Sequence, residues 1–231
     1  MMISTGEYSP ITGTIGFVEG EPREVANAFF DWQAPLFAKT TSPLEIEERG
    51  SISFSDAMKQ LSLLTTRASR WIFMAAGVGH TAMFSNCCRG LDPSPISPLA
   101  VKKCRRKGFR VTAVSNGHRG KKYSSRIVEV FSPECSNPFN IERSIYCTND
   151  GGKWKFGSSG IPYPFEDQSK YEMPSIKDRF TISDLWEFMR HFQIDGDSES
   201  FYGREHQQAY RVFMNGKLLP NMKEVLLSEI V

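Results

Sequence analysis

Arg143-Ser-Ile-Tyr-Cys-Thr-Asn-Asp-Gly-Gly-Lys-Trp-Lys-Phe-Gly-Ser-Ser-Gly-Ile-Pro-Tyr-Pro-Phe-Glu166 is the stretch on which the fold class turns. Ile145 and Cys147 alternate with Ser144, Tyr146 and Thr148, and Trp154 and Phe156 alternate with Lys153 and Lys155. A period of two is the mark of a strand with one face on a core. Asn149-Asp150-Gly151-Gly152 lies between the runs and supplies residues that accept the positive φ of a tight reversal. The stretch predicts a β-hairpin with Trp154 turned inward. It leaves through Pro162 and Pro164 into a helical region over about 166–194.

Related patterns lie on both sides of it. Residues 11–18 alternate and predict a first strand. Val25, Ala28, Phe29, Trp32 and Leu36 recur at helical spacing, giving a helix over about 22–38 that opens on Pro22. A strand is expected over 44–53, then a short helix with Ser55 as N-cap. Two apolar runs, 71–75 and 81–84, flank Gly77-Val78-Gly79 and predict a second hairpin. Residues 86–98 form a loop stiffened by three prolines, and 98–107 a helix stopped by Gly108. Strands are expected at 109–114 and 127–131, then a helix capped by Thr181 or Ser183 and a strand at 210–214 turning at Asn215-Gly216. Trp71, Phe84, Trp154, Phe156 and Trp186 are the expected core aromatics. The expectation is one α+β domain over 1–231, a mostly antiparallel sheet with helices packed on one face and a mobile tail over 215–231.

The chain has 231 residues, 40% hydrophobic and 23% charged, with a net charge of +2. Such a balance does not imply a partner chosen by bulk charge alone. No apolar run reaches the roughly 20 residues of a membrane span, and no secretory signal opens the chain, so a cytoplasmic protein is expected. Five cysteines, unevenly spaced, read as reduced thiols. No Cys-x-x-Cys pair occurs and the four histidines are scattered, so neither a metal nor a cofactor is expected.

The most suggestive chemical feature is basic. No acid occurs between Asp92 and Glu129, while Lys102, Lys103, Arg105, Arg106, Lys107, Arg110, Arg119, Lys121, Lys122 and Arg126 all do. Lys102, Lys103, Arg105, Arg106, Arg119, Lys121 and Lys122 are the candidate face for an acidic protein surface or for nucleic acid; the plainer reading is a solvated helix end and loop. His80 with Cys87 or Cys88 is the one thiol–imidazole pair the sequence offers, and it lacks the known local signatures. Asp150 fits the hairpin turn, Glu166 a cap for the next segment, and Asp178-Arg179 a local ion pair. Asp195-Gly196-Asp197 is an incomplete calcium loop. No catalytic set emerges, and the chain reads as a non-enzymatic protein.

Three groups of residues carry a resemblance. They are Arg70-Trp71, Thr81-Ala82, Phe84, Asn86, Arg89-Gly90 and Asp92; then Asn149 to Phe156; then Pro164-Phe165-Glu166, Tyr171 and Asp178-Arg179-Phe180-Thr181. In this order the chain resembles an uncharacterised family of bacterial cytosolic proteins, over about residues 11–202. It departs from that pattern at His80, where the family carries Trp, and at Cys87, where it carries Gly. Small proteins of this kind resemble immunity proteins that block a co-encoded toxin. The resemblance implies an inhibitor that binds and neutralises a secreted antibacterial toxin through a protein–protein interface. The alternative is a nucleic-acid-binding or nucleic-acid-processing protein using residues 102–126, and a third is a small hydrolase with a site dispersed across loops.

Overall fold

The structure, a computed structural model, describes residues 8–115, 123–203 and 208–226. Its main strands are β1 (Thr14–Glu19), β2 (Leu44–Gly50), β4 (Arg70–Ala76), β5 (His80–Ser85), β6 (Gly108–Val114), β7 (Tyr123–Phe131), β8 (Ile141–Asp150), β9 (Lys155–Gly160) and β10 (Ala209–Met214). These nine form a central antiparallel sheet in the order β2-β10-β4-β5-β1-β6-β7-β8-β9. A ribbon of β3 (Leu64–Thr65) and β11 (Glu224–Val225) lies apart. The helices are α1 (Pro22–Phe37), α2 (Phe54–Lys59) and α3 (Ile182–Arg190), with a π-helical run at Pro98–Cys104.

The hairpin of the opening stretch is β8–β9, with Cys147 opposite Phe156 and Thr148 opposite Lys155. Ile145 and Cys147 are fully buried, as the alternation demands. Trp154 and Phe156 are only half-buried, because β9 is an edge strand and its inner face has thin cover. Trp154 is roofed by the Arg126 guanidinium, 4.5 Å from the ring centre. Gly157 faces Tyr146 directly, and a Cβ there would meet the Tyr146 hydroxyl at 2.5 Å. Trp71, Phe84 and Trp186 are core residues as expected.

Helices on one face is corrected by the packing, which has helices on both. Phe17, Ile72, Met74, Ala82 and Phe84 share one core with α2 and α3. Their neighbours Val18, Trp71, Phe73 and Met83 share a second core with α1 and the 98–104 run. Adjacent strand residues point to opposite sides. Strands β1, β4 and β5 are apolar on both sides, so a helical layer on one side alone would leave half of them wet.

Several boundaries move for local reasons. Ser53, not Ser55, caps α2: its hydroxyl accepts from the Asp56 N–H at 3.1 Å, and Phe54 enters the core at once. The 98–104 run ends at Arg105 in the left-handed region (φ 55°), so Gly108 is not a helix stop. Gly108 opens β6 instead, where a Cβ would meet Ala100 Cβ at 2.5 Å; its role is to let helix and sheet touch. Thr181 caps α3, in a reciprocal capping box with Asp184. The expected mobile tail is anchored through 226. The Asn215 N–H donates to Pro43 O, the Thr66 N–H to Lys223 O, and β11 pairs with β3; residues 227–231 lie outside the described part.

Candidate binding groove

Where β5 ends, Asn86 enters the interior with no solvent exposure. Its Oδ1 accepts from the Ser69 N–H at 2.9 Å and the Arg70 N–H at 3.0 Å. Its Nδ2 donates to Leu63 O at 2.8 Å and Ser69 Oγ at 3.0 Å. Two donors and two acceptor sites are the whole capacity of an amide, so Asn86 is saturated. It fastens residues 63–70 to the exit of β5.

Beside this fastening Thr65 and Cys87 form a parallel bridge, and the Cys88 N–H donates to Thr65 O at 2.9 Å. The two segments run alongside each other, and two residues beyond the bridge each reaches an arginine, Arg67 and Arg89. The Thr65 hydroxyl donates to Arg67 O and holds that turn. Gly90 then reverses the chain at φ 86°, where a Cβ would press on Pro10 O at 3.2 Å. Asp92 Oδ1 accepts from the Ser94 N–H and hydroxyl, at 2.9 and 2.6 Å. Pro93, Pro95 and Pro98 stiffen the chain beyond Asp92.

These segments form one wall of a groove of about 740 Å³, and α1 forms the other with Phe29, Trp32 and Gln33. Trp71 lies in the floor against Phe29, ring centres 5.2 Å apart, and Trp32 meets Phe29 edge-on. Arg67 and Arg89 are exposed on the rim. Neither guanidinium takes part in an ion pair among the described residues.

Cys87 also lines the groove, but it is buried, and burial pushes its thiol up, away from the thiolate form. His80 is no base for it. The imidazole sits at the far end of β5, about 23 Å away at roughly 3.3 Å per strand residue. It packs edge-on to Phe109, Nδ1 lies 3.1 Å from Val78 O, and burial holds it below the ordinary histidine range.

The basic segment is divided. Lys102, Lys103, Arg105 and Arg106 are exposed at the end of the 98–104 run, and Lys103 and Arg106 share a hollow with Glu19 and Glu24. Lys107 pairs with Glu142 at 3.0 Å and Arg110 with Glu129 at 3.1 Å. Arg126 turns inward over Trp154 and donates to Lys177 O at 2.9 Å. Arg119, Lys121 and Lys122 lie outside the described residues.

Glu166 is not a cap but the partner of Arg143. Their side chains are each 1% exposed, with Nη2–Oε2 at 2.6 Å and Nε–Oε1 at 2.9 Å. The Tyr163 N–H and the Tyr171 hydroxyl complete the carboxylate, at 2.9 and 2.7 Å. Arg143 also donates to Ser159 O and Gly160 O, so the pair ties β8, β9 and the segment after them together. Asp150 pairs with Lys155, Asp195 and Asp197 with Arg190, and Arg179 donates to Met173 O. Among the described residues no group of three His, Cys, Asp or Glu side chains is placed to hold a metal ion. Nor is any helix among them long and apolar enough to cross a membrane.

Sequence reading did not bring Trp32, Arg67 and Arg89 together, since they lie on three separate segments. The one local signal was the proline-rich loop just after Arg89-Gly90. No family model matches the chain, and neither does any curated protein or solved structure.

Proposed function

We propose that the protein is a non-enzymatic, cytoplasmic binding protein of the immunity type, which neutralises a secreted antibacterial toxin by engaging it through the groove between α1 and residues 87–98. The observation that carries this reading is the groove itself, with its aromatic floor of Phe29, Trp32 and Trp71 under a rim of Arg67 and Arg89. Tryptophan and arginine dominate the energetic centres of protein interfaces, where a pocket desolvates them fully. The walls are set in advance by Asn86, the Thr65–Cys87 bridge and three prolines, so little ordering opposes association. A toxin segment seated there is covered without any chemistry by the host protein.

The test is co-expression with the product of an adjacent toxin reading frame. Wild-type protein is expected to restore growth, and Trp32→Ala to lose that protection while keeping its fold. Protection that survives Trp32→Ala unchanged overturns the groove as the interface.

A second reading rests on the four exposed cations Lys102, Lys103, Arg105 and Arg106. They support weak nucleic-acid retention, whose affinity falls with salt by about 0.9 in log–log slope for each phosphate neutralised on duplex DNA. Reversal of Arg105, Arg106, Lys121 and Lys122 to Glu abolishes that retention and only slows binding to a protein partner. Sequence-selective binding by the wild type that survives moderate salt favours this second reading over the first.

A further inference from the structure

We infer that the groove selects a polypeptide segment bearing a carboxylate next to an aromatic or bulky apolar side chain, the carboxylate bridging Arg67 and Arg89 and the apolar group seated on Trp32 and Trp71. The inference rests on the binding-protein reading and narrows the partner's chemistry.

Charge is the first argument. The lining carries Arg67 and Arg89 against a single acid, Asp92, whose Oδ1 is already engaged by Ser94. Other arginines of the chain do have acids beside them: Arg110 has Glu129, Arg143 has Glu166, and Arg211 has Glu47. With two like charges at one rim and no ion-pair partner for either among the described residues, the site is favourable to an incoming anion.

Geometry is the second. The parallel bridge at Thr65–Cys87 sets the two arginine-bearing segments side by side, and each turns into the same groove lining two residues further on. A guanidinium offers paired N–H donors that match the two oxygens of a carboxylate, and two of them line this one groove. A lysine ammonium on the ligand would meet the same rim as a repulsive wall.

Adjacency is the third. The same lining holds the exposed arginines and the rings of Trp32 and Trp71, so a ligand's acid and its apolar group must be close in sequence to reach both. The groove admits a chain segment rather than a single side chain, given its volume of about 740 Å³.

The experiment uses the full-length protein as bait for a random linear peptide library displayed on phage. Enriched peptides are then synthesised and titrated by monitoring tryptophan fluorescence. The expected result is enrichment of Asp or Glu within one or two positions of Phe, Trp, Tyr or Leu. Replacing that acid by its amide, or making the Arg67→Gln, Arg89→Gln double variant, is expected to weaken binding by about tenfold to a hundredfold, the range for a charge-assisted contact. The double variant should melt no lower than wild type, since both side chains are exposed. An Arg67→Glu, Arg89→Glu variant should bind the peptide whose acid is changed to Lys. Enriched peptides that depend on Trp32 but are basic or uncharged, and indifferent to both arginines, overturn the inference and leave the binding-protein reading standing. Acidic peptides whose affinity ignores the arginines overturn it equally. If no enriched peptide depends on Trp32, and toxin protection also survives Trp32→Ala, both fall together.

Discussion

The Arg143–Glu166 pair can be cut from either side, and Glu166→Ala is the more informative cut. It removes a carboxylate that accepts four hydrogen bonds and leaves a guanidinium, 1% exposed, with Ser159 O and Gly160 O as acceptors and the Tyr171 ring 6.0 Å away, but no acid. Breaking a buried pair by deleting one member costs about 3–5 kcal/mol, because the other charge stays buried. At about 2–4 °C per kcal/mol for a chain of this size, a loss of about 4 kcal/mol lowers the melting temperature by about 8–16 °C. A double variant, Arg143→Met with Glu166→Leu, orphans no charge and should recover most of that loss. The pH profile is a second reading of the same pair. Burial alone would raise the Glu166 carboxyl, but Arg143, the Tyr171 hydroxyl and the Tyr163 N–H outweigh it and hold the group below the ordinary range. The folded state therefore binds this proton less readily than the unfolded chain. The stabilisation is complete above the unfolded carboxylate value, about pH 4.3, and is lost as pH falls through the lower folded value. Urea titrations of wild type and both variants at neutral and acid pH measure it. A Glu166→Ala loss under about 1 kcal/mol, or a double variant no better than the single, refutes the account.

Asn86→Ala strips partners from the Ser69 and Arg70 N–H groups and from Leu63 O. At about 1–3 kcal/mol for each unsatisfied buried group, less what water recovers, the expected loss is about 3 kcal/mol by denaturant titration; an unchanged midpoint would show that the groove wall does not depend on it. Gly108→Ala drives a methyl into Ala100 and should cost about 1–3 kcal/mol by overpacking, read as a lower melting temperature. A neutral or stabilising result there would mean the 98–104 run shifts freely. Burial, then Glu24, pushes the Cys104 thiol up to about 11. Its labelling by a thiolate-selective reagent in the native protein should be slow at pH 8 and accelerate toward pH 11. Rapid labelling at pH 8, tracked by peptide mapping, would contradict that environment.

Element identity was largely readable, and the reasons for the exceptions are physical. Period two found β8, and helical spacing with Pro22 found α1, because each has a face fixed by its own neighbours. Sidedness was not readable: Phe17 and Val18 are equally apolar, and only the helices that arrive later assign them to different cores. Gly108 looked like a helix stop because sequence gives no view of Ala100 lying over it. Arg143 was within reach, since it is in phase with buried Ile145 and Cys147 and so had to point inward and find an anion. Charges adjacent in the basic segment need not share a face, and sequence alone does not say which of them pair. Packing sends Lys107 to Glu142, Arg110 to Glu129 and Arg126 to Trp154, while Lys102, Lys103, Arg105 and Arg106 stay exposed. The groove was illegible for the opposite reason: its aromatic floor and its arginines come from segments that only the sheet brings together.

The position of β10 has a consequence for biosynthesis. This strand is hydrogen-bonded between β2 and β4, yet it is made after every other strand of the sheet. A ribosome that has delivered residues 44–203 has produced both neighbours and left the slot between them empty. The backbone edges facing that slot are unpaired in the nascent chain, with Trp71 and Phe73 flanking it. Open edges of this kind recruit other strands. A message truncated shortly before codon 209 would thus yield a polypeptide with nearly all of its core and two adhesive borders, a more hazardous product than one truncated early. Selection against such fragments falls on translation through the β10 codons as much as on the amino acids they encode.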